Sequence, residues 1–139
     1  MANEAIKRYA ESSQGDVVHD FTVADGTGIE KGAILALTDP NTAVLASATK
    51  QPIAGIAARE KIASDGRTRL GLHKKGIFDL TASGAITVGA AVQIADDVGT
   101  YPNHVMAAEA ASAGSGAVII GYALETAAAA EVIQVRVDL

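Results

Sequence analysis

A short pattern occurs twice along this chain and constrains its fold more than any other feature. The first copy runs Ile29-Glu30-Lys31-Gly32-Ala33, then Ile53-Ala54-Gly55-Ile56-Ala57, then Thr68-Arg69-Leu70-Gly71-Leu72. The second runs Ile86-Thr87-Val88-Gly89-Ala90, then Ile119-Ile120-Gly121-Tyr122-Ala123, then residues 132–139. Each copy sets a glycine before a small residue and a short β-branched run. Glycine takes the positive φ that a tight turn needs, and Val and Ile fit a pleated strand, so the pattern reads as turn followed by strand. A chain built from two such units is expected to be a scaffold, and neither copy contains catalytic machinery.

At 139 residues the chain suits one domain with one continuous core. Its apolar fraction is 49%, but much of that is Ala, with two Phe, three Tyr and no Trp. The core must be thin and made of Val, Ile and Leu, which contribute roughly 1.5–3 kcal/mol each when fully buried. Association with identical chains or a partner would add burial. The formal net charge of −5 argues against nucleic acid, which needs a basic face. The basic residues fall in short steps, Lys7-Arg8, Arg59 with Lys61, Arg67 with Arg69, and His73-Lys74-Lys75, which read as solvated turns and strand edges. There is no cysteine, hence no disulfide framework. No apolar run approaches the ~20 residues of a membrane span, and Met1-Ala2-Asn3-Glu4-Ala5 lacks signal-peptide character. A soluble chain made in the cytoplasm, without membrane or nucleic-acid partners, is expected.

Residues 1–14 are polar around Ile6 and Tyr9, too poor in apolar surface to order alone. They read as a flexible arm, either frayed or ordered on a partner by adding a strand to a sheet edge. Residues 15–139 form the β-rich domain. In residues 17–23, Val17, Phe21 and Val23 face one way, with His19 interrupting that face. Strands are expected over residues 33–37, 53–57, 68–73, 76–80 and 90–95, with Val44-Leu45 returning as a hairpin after Thr38-Asp39-Pro40-Asn41. The Ala-rich residues 106–113, ended by Gly114, favour a helix by propensity but are short enough to be a loop, and the same holds for residues 127–130. At the C-terminal end Ile133, Val135, Val137 and Leu139 alternate with Gln134, Arg136 and Asp138, as in a half-buried strand. The fold class is therefore all-β, a compact sandwich or small barrel of short strands with at most one or two helical turns.

Enzymatic readings find little support. Asp16, His19 and Asp20 would share a face at helical spacing and could ligate a metal, but a strand turns His19 away from both aspartates. No nucleophile elbow accompanies the three histidines, His19, His73 and His104, and Ala113-Gly114-Ser115-Gly116 lacks the Lys-Ser/Thr step of a phosphate loop. No catalytic, cofactor or metal site is expected.

The order of several small motifs resembles the capsid cement, or head decoration, proteins of tailed phages. These motifs are Gly32-Ala33-Ile34-Leu35, Gly55-Ile56-Ala57, Gly76-Ile77-Phe78-Asp79-Leu80, Ile86 with Gly89, Ile120-Gly121-Tyr122-Ala123, and Val135-Arg136-Val137-Asp138-Leu139. The resemblance covers most of the chain from Gly15 onward, residues 106–113 excepted. It implies a non-enzymatic virion protein on the capsid exterior that binds the major capsid protein of an expanded shell as a homotrimer. Ile6, Lys7, Arg8 and Tyr9 are then the expected capsid-contacting arm. The alternative is a head-fibre base or a glycan-binding β-sandwich, though few aromatics are available to stack on sugars.

Overall fold

The doubled motif becomes a doubled barrel. A computed structural model describes residues 5–9, 18–109 and 118–139. In chain order the strands are β1 (Ile6–Tyr9), β2 (Val18–Thr22), β3 (Ile34–Thr38), β4 (Thr42–Leu45), β5 (Ile53–Ala57), β6 (Arg69–His73), β7 (Lys75–Ala82), β8 (Ala91–Ile94), β9 (His104–Ala107), β10 (Ile119–Ala123) and β11 (Val132–Asp138). Strands β2-β4-β3-β5-β6 close a barrel, and β7-β11-β10-β8-β9 repeat the order with a β7–β9 pairing joining the ends. Strand β1 is added outside that second ring, on β7.

The two rings correspond strand for strand. Parallel β2–β4 matches parallel β7–β9, and antiparallel β2–β6, β3–β4, β3–β5 and β5–β6 match β7–β11, β8–β9, β8–β10 and β10–β11. Individual hydrogen bonds also repeat. The Gly32 N–H donates to Ala57 O (2.9 Å) where the Gly89 N–H donates to Ala123 O (2.8 Å). Ile29 and Lys61 form a bridge where Ile86 and Ala127 form one. Gly32 and Gly89 both have φ of +83°, so the glycines of the repeated motif serve the turn conformation that the sequence pattern implied.

Alternation sorts the side chains. Phe21, Val23, Leu35, Leu70 and Leu72 fill the first barrel, while Phe78, Leu80, Val92, Ile94, Val105, Ile120, Ile133, Val135 and Val137 fill the second. Ile34, Ala36, Ile53 and Ile56 belong to the second cluster, although β3 and β5 are strands of the first barrel. All five residues of β5 are therefore buried, because one set of side chains faces its own barrel and the other faces the neighbour. The Ile34 N–H donates to Pro102 O (2.9 Å) across the same seam.

Of the two architectures expected for an all-β chain, the protein is the barrel. No helix occurs among the described residues. Met106 and Ala107 end β9, where Met106 pairs with Gln93 and Ala107 with Val92, so cross-strand pairing overrides the helical propensity of alanine. Residues 110–113 of that stretch lie outside the described residues. Ala127 bridges Ile86, and Ala130 has φ of +70°, so residues 127–130 form a turn rather than a helix. Residues 1–4 and 10–14 of the expected arm, Asp16, Val17 and residues 113–116 also lie outside the described residues.

Candidate functional site

Among the described residues β7 is the longest strand, with eight residues, and β9 pairs with it through Thr81 and Ala82. The same edge nearer its start is taken by β1, with Ile6 opposite Asp79, Lys7 opposite Phe78 and Tyr9 opposite Ile77, and an irregularity between Lys7 and Tyr9. Just before β1, Ala5 is buried, and its N–H donates to Gly32 O (3.0 Å) in the turn of the first barrel. The segment thus touches both barrels. Of the expected contact residues, the structure places Ile6, Lys7, Arg8 and Tyr9 together on one edge strand, with the Ile6 side chain on the outside.

Beyond Ile6 the outward positions of the second barrel continue this face. On β11 the residues that alternate with buried Ile133, Val135 and Val137 are Val132, Gln134 and Arg136. On β10 Tyr122 lies opposite Arg136, and just past the strand the Leu124 N–H donates to Gln134 O (2.9 Å). Ile6 is 49% exposed, Tyr122 51%, Leu124 40% and Val132 62%. Four large apolar groups thus share the exterior of one sheet with Gln134 and Arg136, while Asp79, opposite Ile6 and Gln134, is itself buried. An aromatic and an arginine among apolar neighbours is the composition from which protein interfaces take their anchors. Lys75 Nζ holds Asp138 Oδ1 at 2.8 Å at the far end of β7 and β11. That hydrogen bond and charge keep the Asp138 carboxyl below its ordinary range.

The histidines do not converge on such a face. His19 and Asp20 are successive residues of β2 and point to opposite sides, and Asp16 lies outside the described residues. His104 Nδ1 is 2.9 Å from Asp97 Oδ2, and its ring stacks on Tyr101 at 4.5 Å between centroids, which ties the loop before β9 to that strand. His73 tilts against Phe78 at 5.6 Å. Among the described residues no group of three or more His, Cys, Asp or Glu could hold a metal ion.

Sequence reasoning read Ile6, Lys7, Arg8 and Tyr9 as part of an arm, frayed or ordered on a partner, where the structure pairs them with β7 of the same chain, and it did not single out Tyr122, Leu124 or Val132. Simple alternation from buried Ile120 would turn Tyr122 inward; the irregular register between Ile119 and Gly121 and the burial of Ala123 leave its ring outside, so alternation in the sequence did not mark it.

A family model described as phage cement protein matches residues 12–139 of the chain. Among solved structures, the head fibre gp8.5 N base of bacteriophage phi29 is similar in fold, with a TM-score of 0.55 and 13% sequence identity. The match covers 88% of this chain and 93% of that one. No curated protein matches the chain.

Proposed function

The chain belongs to the phage cement protein family, and from that membership we propose that it binds the outer surface of an expanded capsid as a homotrimer and stabilises the shell. Membership makes it a structural, capsid-associated virion protein; the face bearing Ile6, Tyr122, Leu124 and Val132 is the surface we assign to the contact. Its exposed apolar groups on a folded scaffold are the observation that supports this assignment. In a homotrimer three such faces act together, so modest single contacts give tight decoration through effective concentration. Selective binding stabilises the expanded state by mass action, about 2.7 kcal/mol per site at a free concentration 100 times Kd.

Amide exchange of the free and capsid-bound protein tests the assignment. Protection concentrated in β1, β10 and β11 supports it; protection confined to the first barrel contradicts it. Tyr122→Ala, at a half-exposed position, should keep the fold and weaken capsid binding at least about tenfold, the scale of an interface anchor.

A second reading, the base of a head fibre, is favoured by the fold shared with a protein of that description. Electron microscopy of decorated shells separates the two, since a fibre base projects density outward and a cement lies flat between capsomers.

A further inference from the structure

The two barrels match in backbone but differ in what they hold at one corresponding place. In the second barrel the Gln134 N–H donates to Glu125 Oε2 at 2.8 Å. The matched hydrogen bonds, Ala58 N–H to Gly71 O (3.0 Å) and Leu124 N–H to Gln134 O (2.9 Å), put Gly71 in the position of Gln134 and Arg59 in that of Glu125. Arg69 then takes the place of Val132, and Arg67 that of Ala130. Where the second barrel supplies its own carboxylate, the first supplies arginines. These three arginines line a cavity of about 390 Å³ together with Val18, Asp20 and Gly71. Gly71 leaves it open, since a Cβ there would overlap Val18 Cγ1.

We propose that this cavity receives a carboxylate side chain presented on an extended segment of a partner protein. Arg59 and Arg69 supply the charge, and Glu125 in the sister barrel shows the position a carboxylate takes against the backbone N–H. Arg67 Nε lies 3.9 Å from Asp65 Oδ2, and the Arg69 guanidinium donates to Thr22 Oγ1 at 3.3 Å, which directs both side chains. An extended peptide fits better than a free anion for two reasons. The wall contains the exposed apolar Val18, which the residues flanking a peptide carboxylate can cover and a bare anion cannot. The edge of β2 at residues 18–20 corresponds to the β7 edge that β1 covers, and no strand pairs with it among the described residues. The basic sequence of β1 itself, Ile-Lys-Arg-Tyr, is the wrong charge for this slot, so the occupant is an acidic segment of another protein. This inference does not depend on the capsid reading.

The test uses the whole chain, amide NMR, and the blocked peptide acetyl-Thr-Thr-Glu-Thr-Thr-amide with its Gln counterpart and inorganic phosphate. The Glu peptide should shift the amides of Gly71 and of residues 18–20 saturably, with half-saturation at about 1–10 mM. The Gln peptide should bind about tenfold more weakly, the loss expected when one charge-assisted hydrogen bond goes. Arg59→Glu should shift the Gly71 amide without peptide, by supplying the carboxylate internally, and abolish the response. No response to the Glu peptide at about 20 mM overturns the proposal. So does an equal response to the Gln peptide, an unchanged response in Arg59→Glu, or a phosphate effect at Gly71 matching that of the Glu peptide.

Discussion

Gly55 and Gly121 occupy corresponding places in β5 and β10, and both are fixed by how closely the next strand passes. A Cβ on Gly55 would stand 2.7 Å from His73 O, and one on Gly121 would overlap Arg136 O. Gly121→Ala should therefore destabilise the protein by roughly 3 kcal/mol in chemical denaturation, because backbone rather than a flexible side chain must move. Lys61 is a second residue with a single explanation. It is buried, its Nζ donates to Asp25 O (2.6 Å) and lies 3.3 Å from Asp65 Oδ1, and so it ties the loop after β2 to the 62–66 turn. The corresponding residue, Ala127, has no such task. The Arg67 N–H and then Lys61 hold the Asp65 carboxyl below its ordinary value of 3.8, and Lys75 does the same for Asp138. Both carboxylates are ionised in folded and unfolded chains at neutral pH, so their stabilisation is complete there. It is lost as pH falls from about 4 through the lower folded values. Denaturation midpoints measured at pH 6 and pH 3 should drop on acidification, and Lys75→Met should reduce that drop.

At the scale of elements, most strands were legible because each carries its own signal. β5 and β11 lie where a Gly-punctuated apolar run and strict alternation put them, and the hairpin of β3 and β4 follows from the Thr38-Asp39-Pro40-Asn41 turn. β9 was not legible: the Ala-rich run that starts at Met106 favours a helix locally, and pairing with β8 and β7 and the burial of Val105 make residues 104–107 a strand. The Arg59, Arg67 and Arg69 cluster was hidden for the same reason. In sequence these residues read as separate solvated steps, and the β5–β6 pairing brings them to one cavity. β1 carries the element-scale prediction. Removing residues 1–14 strips the edge of β7 and the Ala5 link to the first barrel, a few hydrogen bonds at about 0.5–1.5 kcal/mol each. The Tm should fall by several degrees with the fold retained, and capsid binding should weaken. Unchanged binding with the lowered Tm would remove β1 from the contact.

For the whole molecule the seam between barrels matters most. Ile34, Ile53 and Ile56 of the first barrel pack in the cluster of the second, so the second barrel's core is completed by the first, and the first alone would expose these three isoleucines. Thermal unfolding should show one cooperative transition, and Ile56→Ala should lower it by about 2–5 kcal/mol without splitting it. Two transitions would mean that the barrels are independent. Two barrels joined through a shared core leave little to reorganise on docking, which suits the proposed role on an expanded shell. The most direct test is co-sedimentation of the purified chain with undecorated capsids of the encoding phage, compact procapsids against expanded shells. Saturable binding to expanded shells alone is the predicted result. Equal binding to both forms, or to neither, would contradict the claim that this protein cements the expanded capsid.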